Sequence, residues 1–221
     1  MNLTLKESQS TMKSLFIPTA LLLILFVVSG CATSDTSRAQ ETESSLSNLE
    51  QKLSQLTEQI DKTENSLNNI SNTNKSDLKE AYNSFSDNVS KTEEMKKELN
   101  TLIKEMRSNS NDYLSEWQND AEDYDNTQLR SGSENRREEL REAFSRVRDN
   151  SGKVNRMLET YISDINEIKS YLDNDLTMDA VEAVYSLSKN MEESGDEVRQ
   201  AITTMQRSIS TAQDKMGVNN N

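Results

Sequence analysis

Leu46, Leu49, Leu53, Leu56, Ile60, Thr63, Leu67 and Ile70 follow one another at alternating spacings of three and four residues. That alternation lays a narrow stripe along one side of a helix, and a stripe so narrow is buried only against other helices. It returns three times. Leu78, Tyr82, Phe85, Val89, Thr92, Lys96, Leu99, Ile103, Met106, Ser110, Tyr113, Trp117, Asp120 and Tyr124 carry it through a second segment. A third runs from Leu140 through Phe144, Val147, Ser151, Val154, Leu158, Tyr161, Ile165 and Ile168 to Leu172. The fourth runs from Val181 through Val184, Ser188, Met191, Gly195, Val198, Ile202, Met205, Ile209 and Ala212 to Met216.

Breaks in the pattern set the boundaries. "SNTNKS" (71–76), "LRSGS" (129–133, with Gly132) and "DNDLT" (173–177, with Thr177 as N-cap) interrupt the stripes. Helices are therefore expected over about 45–71, 77–128, 133–172 and 178–216, with a polar tail at 217–221. Short connections make sequential helices antiparallel. The expected fold is all-α: an elongated antiparallel helical bundle or coiled coil of three to four long helices.

With 33% hydrophobic residues and a net charge of −13, disorder is the competing reading. A stripe held through four segments argues against it. The acidic balance excludes nucleic acid as a partner, because phosphate backbones attract Lys and Arg. The chain has no His, and so no His-based acid/base chemistry or His metal site. Asp112, Glu116 and Asp120 form a carboxylate ladder, but one helix face rarely converges enough oxygens for Ca²⁺. Neither a Gly-rich phosphate loop nor a paired nucleophile and base is present. The sequence predicts no enzyme, no metal, no cofactor and no small-molecule substrate.

The N-terminus has its own logic. Lys13 precedes an apolar run from Leu15 to Val28, too short for a membrane span and interrupted by Pro18. Val28, Ser29 and Gly30 then lead into Cys31, the only cysteine. A basic start, an apolar centre and small residues before a Cys resemble a bacterial lipoprotein signal, with lipidation expected at Cys31 after removal of residues 1–30. Met12-Lys13-Ser14 is the more ordinary start of such a leader, so translation is expected to begin at Met12. The leader holds Lys6, Lys13 and Glu7, which leaves 23 basic and 37 acidic residues in the mature chain. Ala32 beside the Cys favours the outer membrane, facing the periplasm. Residues 31–44 lack apolar periodicity and are expected to be a lipid-anchored flexible tether, up to about 40 Å long if fully extended.

Folding the third segment back at 129–133 brings Trp117 near Phe144 and sets Glu116, Asp120, Glu122, Asp123 and Asp125 against Arg136, Arg137 and Arg141. The next hairpin brings Met205 to the same level, which predicts a Trp117–Phe144–Met205 packing layer. The same arithmetic aligns Ser110 with Ser151 and Gly152, with Gly195 nearby, as a candidate hinge or polar register layer.

"DLKEAYNSF" (77–85), "SEWQNDAEDY" (115–124), "LRSGSENRREELREAF" (129–144) and "YLDNDLTMDAV" (171–181) resemble an uncharacterised family of Gram-negative envelope lipoproteins, a domain of unknown function with long coiled-coil helices. The resemblance spans most of the mature chain. It departs at the last link, where the family's basic Lys-His-Asn-Leu-Asn pattern is replaced by Asp173-Asn174-Asp175-Leu176. It implies no activity. The functional expectation is a lipid-anchored, non-catalytic scaffold or spacer of the cell envelope. The alternative is an adaptor subunit that docks a protein partner through a helix face. The first segment packing within its own chain suits the adaptor, and zipping between copies by self-association suits the spacer.

Overall fold

In the computed structural model, residues 33–217 are described. They form four α-helices: α1 (Thr33–Ser71), α2 (Leu78–Glu122), α3 (Thr127–Asn174) and α4 (Met178–Met216). Each packs on its neighbours in the cyclic order α1–α2–α3–α4. The result is the all-α helical bundle that the stripes predict. Residues 32–221 separate from 1–31 as a compact unit.

The stripes account for the core. From Leu140 to Leu172 the predicted positions of α3 are all buried, and the leucines and isoleucines of α1 are at most 1% exposed. In α2 the prediction slips. Met95 is buried in place of Lys96, and beyond Ser110 the stripe passes through Leu114 and Ala121 rather than Tyr113, Asp120 and Tyr124. A straight helix drifts about 20° per heptad against a strict seven-residue repeat. Over the four heptads from Tyr82 to Ser110 that amounts to nearly one position.

Two boundaries differ from the expectation. The segment expected as a flexible tether is helical from Thr33. Thr42 is fully buried and its Oγ1 donates to Asn109 O (3.1 Å), while Asn109 Nδ2 donates to Glu41 O (3.3 Å). The start of α1 thus docks on the polar "SNSND" stretch of α2, a pairing that leaves no apolar periodicity to detect. Amide exchange over residues 37–44 should accordingly be slowed well over tenfold relative to free peptide; exchange at the free-peptide rate would restore the tether.

The second difference is the α2–α3 corner, at 123–126 rather than 129–133. Four carboxylates crowd the end of α2 (Asp120, Glu122, Asp123, Asp125), where the helix dipole disfavours them. Asn126 then caps α3, its Oδ1 accepting from Gln128 N (2.9 Å) and Leu129 N (3.2 Å). Gly132 is simply a position within α3. At the other end Thr177 caps α4 through Ala180 N (3.3 Å), and Gly217 closes it at φ 83°, a left-handed conformation that glycine adopts freely.

Charged pairs mark three interfaces of the ring. Lys52–Glu98 (2.7 Å) joins α1 to α2, Lys96–Glu159 (2.9 Å) α2 to α3, and Lys215–Glu139 (2.5 Å) α3 to α4. Exposed pairs contribute about 0–1 kcal/mol each, so they select register more than they add stability. The fourth interface, α4 to α1, is built differently.

Candidate functional site

Where α1 meets α4, a charged pair goes inside. Arg199 donates from Nη2 to Glu64 Oε2 (2.9 Å) and from Nη1 to Glu64 Oε1 (3.1 Å), and Nη1 also reaches Asp61 (3.2 Å). The Glu64 side chain is only 12% exposed. Gly195 makes this possible: a Cβ there would lie 2.1 Å from Glu64 Oε1. A glycine inside a helix costs about 1 kcal/mol relative to alanine, and here it leaves the carboxylate room to enter.

The layer continues inward. Thr63 and Thr92, both fully buried, share a hydrogen bond (3.1 Å) between α1 and α2. Gln59 Nε2 donates to Asn88 Oδ1 (3.0 Å). Tyr161 of α3 is fully buried, and its hydroxyl donates to Ile60 O (3.4 Å). All four helices therefore contribute a polar group to one level of an otherwise apolar core. Such a level fixes register, because any slip strands these groups without partners.

Electrostatics follow from burial. Desolvation raises the Glu64 carboxyl above its usual value, with Asp61 and Asp196 adding to the rise and Arg199 opposing it. Burial likewise pushes the Tyr161 phenol far up, assisted by the Glu64 charge. A carboxyl whose folded pKa is raised stabilises most below its unfolded value of 4.5, and that contribution is lost as pH rises through the folded value. The stability of the native protein relative to Glu64→Gln should therefore grow as pH falls toward 4.5 and level off below it. Urea titrations of both proteins from pH 4 to 8 measure this; a difference that shrinks on acidification would show the Arg199 pull to dominate instead.

The residues singled out from sequence fall in different places. Phe144 and Met205 are fully buried, while Trp117 meets α3 at Ser133, well before Phe144. Trp117 is half-buried opposite the start of α3: its Nε1 donates to Ser133 Oγ (2.8 Å), Tyr113 tilts against it (5.8 Å, 48°), and Arg136 lies over its ring (5.3 Å). Moving the corner six residues toward the N-terminus shifted the α2–α3 pairing next to it, so Ser133 takes the place beside Trp117. Asn150 donates to Ser208 (2.7 Å), so Met205 sits beyond Ser151 rather than beside Phe144. The expected acid–arginine facing is replaced too. Arg137 pairs with Glu134 and Arg141 with Glu138 within α3, while Glu116 faces Arg38 of α1 (3.5 Å).

Of the candidate hinge layer, Ser110 and Ser151 are buried at one level, bridged by Arg107 Nη2 to Ser151 Oγ (3.3 Å). Both helices run through it unbroken. A Cβ at Gly152 would lie 3.6 Å from Arg156 Nη1, and Gly195 belongs to the Glu64 layer instead. Val28, Ser29, Gly30 and Cys31 lie outside the described residues. Asp173, in the last turn of α3, accepts from Tyr82 and from Lys169 (2.8 Å), which ties the start of the α3–α4 link to α2. The Tyr82 phenol is pushed up to about 12 by burial and by that carboxylate.

The two ends of the bundle differ. At the α1–α2 and α3–α4 turns, an open groove of about 540 Å³ runs between Asn68, Asn72, Met178 and Tyr185. The α2–α3 corner, at the end where α1 begins, exposes Tyr124 (42%) and Leu129 (63%). Among the described residues no helix is long and apolar enough to cross a membrane, and no group of three or more His, Cys, Asp or Glu side chains could hold a metal ion.

A protein family described as "Protein of unknown function (DUF2959)" matches residues 38–217. No curated protein and no solved structure matches.

Proposed function

The chain belongs to the DUF2959 family, and we propose that it is a lipid-anchored, non-catalytic strut of the bacterial cell envelope. In this reading Cys31 carries the lipid, the outer membrane holds it, and the bundle stands in the periplasm. One observation carries the proposal: α1 begins at Thr33, two residues after the cysteine of the signal-like sequence. An anchor at Cys31 would join a helix of 39 residues, about 58 Å long, with no slack between them. That coupling suits a part that sets distance.

The packing of α1 bears on the choice between spacer and adaptor. Its apolar stripe is buried against α2 and α4 of its own chain, leaving no stripe to zip with another copy. By the criterion drawn from sequence this suits an adaptor rather than a self-assembled spacer, so the strut is read as a single chain that docks a protein partner through a helix face. Labelled palmitate tests the anchor. Incorporation into the native chain and its loss in Cys31→Ser support the reading; an unlabelled native chain, or one whose mature N-terminus is not Cys31, overturns it.

A further inference from the structure

The corner that exposes Leu129 and Tyr124 also holds a buried guanidinium donor with no acceptor among the described residues. Gln118, Ala121, Glu122, Arg130, Glu134 and Arg137 line a cleft of about 170 Å³ between the end of α2 and the start of α3. Arg137 is 9% exposed, and its buried Nε has no hydrogen-bond partner among the described residues. Its Nη2 lies 3.8 Å from Glu134, beyond hydrogen-bond distance. Arg130 commits Nε and Nη2 to Tyr124 O (3.2 and 2.6 Å), which fixes its guanidinium at the cleft wall. A buried guanidinium donor without an acceptor is costly, and the guanidinium that carries it lines the cleft, where an anion can offset that cost.

The lining selects the kind of acceptor. Two guanidinium groups and two carboxylates make the cleft dipolar, suited to a ligand carrying an anion and a hydrogen-bonding cation together. A simple anion meets Glu122 and Glu134, and a simple cation meets the arginines. Leu129 and Tyr124 project beside the cleft, as an apolar residue and an aromatic one do where a protein rests in a bilayer interface. The strongly acidic chain is repelled by anionic lipid, which leaves a zwitterionic surface.

We propose that the α2–α3 corner docks on a membrane surface of zwitterionic phospholipid. A phosphoethanolamine headgroup enters the cleft, its phosphate on Arg137 and Arg130 and its ammonium on Glu122 and Glu134. Leu129 and Tyr124 enter the interface beside it. The corner lies at the end where α1 begins, so docking would seat the bundle on the membrane that holds its anchor. That orientation rests on the anchored reading; the cleft does not.

Co-sedimentation with sucrose-loaded vesicles tests it, using residues 31–221 with Cys31→Ser so that no acyl chain contributes. Vesicles containing phosphatidylethanolamine should retain at least about threefold more protein than phosphatidylcholine alone, whose quaternary ammonium cannot donate to carboxylates, and phosphatidylglycerol should add nothing. Leu129→Glu, an exposed change, should lower retention about tenfold. Arg137→Gln should abolish the ethanolamine preference, and Glu122→Gln, at an exposed position, should weaken it if Arg137→Gln does not fold. Equal retention on all vesicles, or none, overturns the proposal. So does binding of free phosphoethanolamine without vesicle binding, which would make the cleft a solute site. The acyl-free chain keeps these outcomes separate from the fate of the lipid anchor.

Discussion

Tyr161→Ala should destabilise the bundle by about 3–5 kcal/mol, the range for removing a large aromatic side chain from a packed core. Tyr161 ranks first in size among the fully buried side chains. It stands on α3 at the level where α1 contributes Ile60 and Thr63, so its ring is packed where the helices converge. Truncation leaves a cavity bordered by polar groups and strips Ile60 O of its side-chain donor. Tyr161→Phe separates the two effects. At 3.4 Å the hydroxyl bond is long, and its loss should cost no more than about 1 kcal/mol. Urea unfolding of both variants measures this. A cost below about 1 kcal/mol for Tyr161→Ala would mean the four helices do not close on that level.

Arg199→Ala should cost about 2–4 kcal/mol, somewhat under the full price of a broken buried pair because the Arg199 side chain remains 25% exposed. The loss falls on what remains. Glu64 keeps a mostly buried carboxylate with Asp61 and Asp196 near it and no compensating cation. The double variant Glu64→Leu/Arg199→Met should come within about 1 kcal/mol of the native protein, since a buried pair replaced by apolar side chains of like size is often neutral. If the double variant is as unstable as the single, the layer contributes stability and not register alone. Gly195→Ala should behave like a milder Arg199→Ala, because the new methyl displaces the carboxylate that Arg199 holds.

The sequence announced its helices wherever apolar residues did the packing. The stripes of α3 and α4 were legible residue by residue because those helices pack through Leu, Ile, Val and Met. The start of α1 was not, because Thr42 packs there through its hydroxyl against a polar stretch of α2, while the Ser45 hydroxyl turns back onto Thr42 O of its own helix. The α2–α3 corner was misplaced for a related reason. Gly132 signals a turn more loudly than Asn126, yet the carboxylates ahead of Asn126 are what end α2. The pairing nearest that corner inherited the error, so Trp117 meets Ser133 instead of Phe144, whereas Ser110 and Ser151, farther along, keep their level.

The polar layer left a fainter trace. Thr63, Thr92 and Gly195 are the weak members of three apolar stripes, and a glycine in mid-helix usually marks a close approach. Gly195 was nonetheless assigned to the Ser110–Ser151 level, because the α1–α4 pairing was not in hand. Which charged side chain would fill the space at Gly195 depended on the α1–α4 pairing, and that pairing joins helices far apart in sequence. No local signal reports it.

The measurement that tests the account most directly asks whether α1 closes the bundle within one chain. Ser47 Oγ accepts from Gln213 Nε2 (3.4 Å) across the α1–α4 interface. A chain carrying Ser47→Cys and Gln213→Cys, with Cys31→Ser to remove the native thiol, is treated with a short thiol crosslinker and run on a denaturing gel. The account predicts a crosslinked monomer, unchanged in yield on dilution. A covalent dimer whose yield falls with dilution would contradict it, because α1 would then be zipping between copies and the protein would be a self-assembled spacer.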